Sequence, residues 1–366
     1  MNGTALMRHR ILFAVLFLMG ANLLIGGSYR ARQDSWISLL IAVVLLVLWG
    51  IVLARISVLR PGETVFDLLY LFPDSVRFVL TGLLVLYCFG QSAITIRTYA
   101  GFARVVSLQN TDLFVPIALL CLSVAFFLRR DDGVLFRFSY VVSLPIIFII
   151  ILLFCLLLNM FRTELLYPIY YQNTENVLLC AADNLSFPFG NAFLLLGLLY
   201  DPKDAENTRP SWLISCISAG ALSLLIVLQN LLLLGGDLAE DLNFPYNFST
   251  SLVNLADFFS RLEVFTSLFF FLSAVVRASF CLKMAVRGIN SIVPIESKAL
   301  GFSMVFLLCG YCLIMFENTN SVFGFLEIFH IIALPLQFVL PALLWLCVEF
   351  RARKERRAYG KIGPPL

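Results

Sequence analysis

Long apolar stretches separated by short polar ones dominate this chain. Runs without a hydrophilic face, bounded by Arg, Lys, Asp, Pro and Gly, place helical spans near residues 10–28, 35–56, 76–104, 112–128, 134–160, 176–200, 211–234, 261–286, 298–316 and 325–349. A span of about 20 residues crosses a bilayer, so the pattern predicts about ten crossings; the fourth and ninth are short. Two spans break the pattern. Residues 178–196 read LLCAADNLSFPFGNAFLLL, where Asp183, Asn184, Ser186, Pro188, Gly190 and Asn191 interrupt an apolar segment. Proline removes a backbone donor and glycine loosens the chain. The groups freed at such a break need partners in protein or in a water-filled cavity. Residues 18–27 read LMGANLLIGG, with Gly20 and Asn22 at midspan and two more glycines near the end. One such span reads equally well as a binding site or as a kink that shapes packing. Here the two fall at matched positions, one and six, of a five-plus-five arrangement. A matched pair of interrupted spans points to an inverted repeat with a ligand site near the membrane midplane.

Composition settles the class. The chain is 60% hydrophobic and 13% charged, with a mean hydropathy of +0.92; a soluble domain carries about 25% charged residues. The predicted fold is an all-α integral membrane protein with broken helices 1 and 6. One transmembrane domain covers 1–349, its repeats lie at about 10–160 and 176–349, and a basic tail follows at 350–366. A net charge of +3 carries no argument for nucleic acid, because the basic residues are spread over loop ends. The cysteines fall nearly all within apolar runs and read as small apolar residues. Cys309-Gly-Tyr-Cys312 has redox-motif spacing, but inside a span a thiolate would be costly. His9 and His330 are too few for a histidine metal cluster. Arg8-His9-Arg10 before an apolar run imitates a signal peptide; without a small-x-small cleavage site it reads as an uncleaved first span. The sequons at Asn2, Asn184 and Asn247 read as chance matches.

Orientation follows from Lys and Arg near span ends. Arg8, Arg10, Arg55, Arg60, Arg77, Arg129, Arg130, Arg137, Lys203, Arg209, Lys283, Arg287 and Lys298 fall on one side, together with the tail Arg351-Ala-Arg-Lys-Glu-Arg-Arg. We call this the basic end. The other, acidic end has Arg30, Arg32, Arg104 and Arg162, and its 235–260 loop carries Asp237, Glu240, Asp241 and Asp257. The bias predicts both termini in the cytoplasm. The tail reads as a topology anchor or as a contact with anionic membrane lipid.

Several motifs resemble the spore germination permease family, which supplies the B subunits of bacterial nutrient germinant receptors. They are Gln33-Asp34-Ser35-Trp36-Ile37-Ser38, Leu185-Ser186-Phe187-Pro188-Phe189-Gly190, Phe244-Pro245, Phe259-Ser260-Arg261-Leu262-Glu263 and Leu334-Pro335-Leu336 with Leu340-Pro341. The resemblance covers nearly the whole chain. It implies the fold of the amino acid–polyamine–organocation transporter superfamily and a small-molecule germinant, often an amino acid. It also implies the spore inner membrane, and as partners a larger A subunit and a C-subunit lipoprotein. The alternative reading is a secondary amino-acid transporter working by alternating access.

The ligand-binding candidates lie at the breaks: Gly20, Ala21 and Asn22 in the first span, and Asn184, Ser186, Phe187, Pro188, Phe189 and Gly190 in the sixth. Half-helix amino ends there suit a carboxylate and unwound carbonyls an ammonium group. Phe187 and Phe189 either close over a ligand or pack. In the implied fold the third and eighth spans face the breaks. Tyr87 and Gln91 share one face of the third, and Thr266 lies on the eighth. Tyr87 either touches ligand or bonds a neighbouring helix. Three charges lie inside spans. Arg97 and Asp183 are expected to pair across an outer vestibule. Arg277 resembles a basic family position where sodium-coupled relatives bind their ion, so it either replaces that cation or snorkels to the interface. No phosphate loop, nucleophile–histidine pair or metal-ligand set is present. The expectation is therefore no enzyme, no cofactor and no metal.

Overall fold

The computed structural model of the chain describes residues 3–108, 110–170, 174–200, 207–252, 262–293 and 297–359. Phe259-Ser260-Arg261, Asp257, Lys203, Asn2 and residues 360–366 lie outside them. The main helices are α1 (Gly3–Ile25), α2 (Ser35–Leu59), α3 (Asp74–Phe102), α4 (Phe114–Leu128), α5 (Asp132–Leu157) and α6 (Thr174–Ser186). They continue with α7 (Thr208–Asp241), α8 (Leu262–Ile292), α9 (Ser297–Ile314), α10 (Thr319–Leu334) and α11 (Leu340–Tyr359). Among the described residues, seven helical stretches are long and apolar enough to cross a membrane, and Phe114–Leu128 and Ala299–Ile314 are shorter apolar helices. Helix is the structure that satisfies every backbone group within one apolar segment, so the elements fall where the apolar runs predict them.

Burial separates centre from rim. The most apolar stretch of α8 is 83% buried, against 33% for those of α5 and of the α10–α11 span. Helix α3 lies along α8, α1 packs on α5, α7 and α8, and α2 packs on α6 and α7. Lipid supplies no hydrophobic drive between helices, so close backbone approach does more of the work. At Gly20 an added Cβ would stand 2.3 Å from the Ser273 hydroxyl of α8. Gly20 therefore marks where α1 and α8 nearly touch.

This corrects the expected position of the first break. Helix α1 runs unbroken through Gly20–Asn22 to Ile25. It unwinds only at Gly26 and Gly27, with φ of +78° and +95°, conformations that favour glycine. No second helical half follows; a short turn, Arg32–Asp34, leads directly into α2. In the sixth span α6 ends at Ser186, and after Pro188 the chain resumes as a 3₁₀ segment, Phe189–Leu195. In the tenth, Pro335 removes one helical donor and the helix widens into a π-turn, Pro335–Val339, between α10 and α11. At the basic end α11 carries the tail as helix to Tyr359, where Glu349 pairs with Arg55 and Arg353.

A candidate binding site at the broken helices

Two interruptions meet toward the acidic end. The chain leaving α1 lies against the last two turns of α6. Ser28 donates its N–H to Asn184 Oδ1 at 3.1 Å and its hydroxyl to Asp183 Oδ2 at 3.2 Å, and Cys180 Sγ donates to the Ser28 carbonyl at 3.2 Å. An added Cβ at Gly27 would sit 3.0 Å from Asn184 Oδ1, so the unwound turn can come this close only without a side chain. Both α1 and α6 present their carboxyl ends here. Orphan carbonyls give that junction partial negative charge, which suits an ammonium group. The amino ends expected to hold a carboxylate are not supplied in that form. Helix α1 does not restart, and the segment after α6 opens with Pro188, which has no N–H.

Side-chain donors are instead concentrated deeper, around Arg277. Its side chain is buried, 1% exposed, so it does not snorkel. Nη1 donates to the Phe17 carbonyl of α1 at 2.9 Å and Nη2 to Gln91 Oε1 at 3.3 Å. The guanidinium lies over the Phe187 and Phe17 rings, 4.5 and 5.4 Å from their centroids. Gln91 Oε1 also accepts from Asn191 Nδ2 at 3.1 Å. Asn191 Oδ1 accepts from the Tyr87 hydroxyl, which in turn accepts from Gln337 Nε2 at 2.6 Å. Gln337 Nε2 also donates to the Ser186 carbonyl at the end of α6. One buried polar chain thus joins α1, α8, α3, the 3₁₀ segment, the π-turn and α6. Tyr87 and Gln91 do share a face of α3, and each is a link in it.

Two cavities flank this chain, and Ile25 and Phe187 line both. The outer one, about 280 Å³, opens at the acidic end between Asn22, Gly27, Arg30, Asp183, Asn243 and Glu327. The inner one, about 20 Å³, lies against Gly20, Ala21, Thr95, Thr98, Ser273 and Arg277. Phe270, Ser273, Ala274 and Arg277 line it from one face of α8. Thr266, buried, lies on that face one turn toward the acidic end. Among the described residues Arg277 Nε, Gln91 Nε2, Asn22 Nδ2 and Ser273 Oγ are buried without a hydrogen-bond partner. Buried polar groups without partners are uncommon and costly. Ser273 and Arg277 line the inner cavity and Asn22 the outer one, and unpartnered donors there suit a ligand rich in acceptors.

The remaining candidates divide. Phe189 is fully buried and belongs to the main core. Gly190 supports packing, because an added Cβ would stand 2.0 Å from Gln337 Oε1. Ser186 turns its hydroxyl back to the Asp183 carbonyl and offers its own carbonyl to Gln337. Arg97 and Asp183 do not pair. Arg97 donates to the Phe316 carbonyl at 3.1 Å, whereas Asp183 faces His330 Nδ1 at 2.8 Å and Arg30 at 3.9 Å. Arg97 stands on α3 against the end of α9, and α6 meets α10 and the loop after α1 instead. Gln337, Asn191, Arg30 and His330 were missed in the sequence. Their signal was available: Gln337 is a lone amide between Pro335 and Pro341 in an apolar span, and Asn191 stands among the breakers already noted.

With that geometry in place, comparison with known proteins decides the family. The sequence profile described as "Spore germination protein" matches residues 7–322. The chain belongs to the spore germination permease family. Among its relatives is Spore germination protein KB of Bacillus subtilis (strain 168), 20% identical over 97% of each chain. Another is the Putative spore germination protein YfkT of the same organism, 22% identical over 88% of this chain and 89% of the relative. Among solved structures, the fold is similar to that of MHP1, a nucleobase-cation-symport-1 family transporter in a closed conformation with bromovinylhydantoin bound. The TM-score is 0.67, with 11% identity, covering 92% of this chain and 77% of that one. The protein is therefore a multi-helix membrane protein of this germination family with a transporter-type fold.

Proposed function

We propose that this chain is the membrane subunit of a spore nutrient-germinant receptor that binds a small zwitterion, an amino acid, between the outer cavity and Arg277. The observation that carries the reading is Phe187, whose ring lines both the outer cavity of about 280 Å³ and the small inner one of about 20 Å³, where Ser273 Oγ and Arg277 Nε have no hydrogen-bond partner. The inner cavity accommodates about one water, so a ligand reaches Arg277 only when Phe187 moves. In this reading the carboxylate meets Arg277, Ser273 and Asn22, and the ammonium faces the carbonyl ends of α1 and α6. The ligand drives a change only through its different affinity for the two positions of Phe187. The buried chain from Ser186 to Phe17 carries that change to six elements, and from them to an A subunit and a C-subunit lipoprotein in the spore inner membrane. Both termini face the cytoplasm. The Arg277 guanidinium supplies a fixed cation, so the response does not depend on sodium.

The test is binding of labelled amino acids to the reconstituted chain, with uptake measured in the same proteoliposomes. Saturable binding without accumulation, lost in Ser273→Ala and Arg277→Gln, supports the receptor. Concentrative uptake by the chain alone selects the second reading, a secondary transporter, which the similarity to a symporter fold favours. A response that follows sodium at constant ionic strength removes the role given to Arg277.

A further inference from the structure

A separate charged cleft lies at the basic end, away from the breaks. It encloses about 500 Å³ where α4 turns into α5 and meets the end of α8, and Arg129, Arg130, Asp131, Asp132, Lys283 and Arg287 line it. Four positive charges face two negative ones. Asp132 is fully engaged: Lys283 Nζ donates to it at 3.0 Å and Arg287 also reaches it. Lys283 Nζ donates to the Arg130 carbonyl at 2.6 Å as well. Lys283 is nearly buried, so these contacts hold the floor of the cleft in place. Among the described residues the guanidinium groups of Arg129 and Arg130 form no ion pair; Arg130 lies over the Phe126 ring at 5.4 Å. On the same helix Leu122 and Phe126 are 71% and 53% exposed, so the rim of the cleft continues into an apolar, lipid-facing surface.

We propose that this cleft binds the phosphate of an anionic lipid headgroup. Two free guanidinium forks match phosphate oxygens in pairs. The surplus positive charge draws an anion, and the apolar surface of α4 receives the acyl chains. A basic pocket between helix ends is the kind of place where anionic headgroups settle. Asp132, held by Lys283 and Arg287, fixes the cleft's width and leaves Arg129 and Arg130 for the ligand. This site is independent of the germinant reading.

The experiment uses the full chain in nanodiscs of phosphatidylcholine alone or mixed with phosphatidylglycerol. Retained lipid is counted by native mass spectrometry and the melting temperature is followed. The expected result is a retained phosphatidylglycerol and a higher melting temperature in the mixed discs, with affinity falling about fivefold for each arginine in Arg129→Gln and Arg130→Gln. Both positions are exposed, so the variants fold; Leu122→Ala tests the acyl contact separately. Inorganic phosphate added to protein in detergent distinguishes the source. If it raises the melting temperature as much as phosphatidylglycerol does, the site takes free phosphate and the lipid proposal fails. Equal retention of both lipids, or an undiminished preference in the double arginine variant, overturns it.

Discussion

The two sides of Phe187 are built differently. On the inner side Arg277, Gln91, Asn191, Tyr87 and Gln337 are bonded in series, with distances of 2.6–3.3 Å along most links. On the outer side Arg30 lies 3.9 Å from Asp183 and 3.7 Å from Glu327, and a third of its surface is open to solvent. The inner network is desolvated, so each link is strong and each missing link is costly. Arg30 and Glu327 are exposed enough to be screened and are loosely held, so each is worth little to stability and is free to meet a ligand. A rigid interior behind a yielding antechamber suits a protein that admits a small molecule and reports its arrival through rearranged contacts.

The comparison breaks first if the interior tolerates losing a link. Gln91→Leu takes away the acceptor of Arg277 Nη2 and of Asn191 Nδ2, and we expect a loss of about 3 kcal/mol, read as melting temperature in detergent. A change no larger than that of an exposed residue would mean that the chain of bonds is not one unit. Gly190→Ala comes next, at about 2 kcal/mol from overpacking against Gln337. Its cost should shrink in the background Gln337→Ala, which frees the space, and full additivity in that cycle would rule out the contact. Tyr87→Phe removes one hydroxyl shared by Asn191 and Gln337, and about 1 kcal/mol should go with it. At the bottom of the scale, Arg30→Gln should cost under about 1 kcal/mol in stability while weakening amino-acid binding measurably. Unchanged binding would confine recognition to Arg277, Ser273 and Asn22. Finally, Arg97→Gln and Asp183→Asn should be additive within about 0.5 kcal/mol, because they contact different elements.

Much of this arrangement was legible in the residues. The apolar runs placed the helices, because a backbone in hydrocarbon has few alternatives. The interruption at Asp183–Gly190 marked the end of α6, because proline and buried polar groups there need partners. Tyr87 and Gln91 were recognisable as neighbours from helical spacing alone. The first break was misplaced by about five residues. Gly20 and Gly26 look alike in sequence, yet one permits close approach to Ser273 and the other permits a left-handed turn. Which of these a glycine does depends on what lies opposite it.

The pairing of charges shows the same limit. Two opposite charges on the acidic sides of their spans invite an ion pair, but Asp183 faces His330 and Arg30, and Arg97 faces the Phe316 carbonyl. Separation in sequence carries no information about which of several helices stands beside another. Gln337 is the sharpest case. The sequence shows an amide between two prolines, and only the packed bundle shows that a π-turn brings it between Tyr87 and Ser186. Local composition determined the membrane class, the helix positions and the broken sixth span, because those depend on the solvent around each segment. The partners of Arg277, Asp183 and Gln337, and the place of Phe187 beside two cavities, were decided by tertiary structure, because each depends on groups 100 or more residues apart being brought together by the packing of the helices.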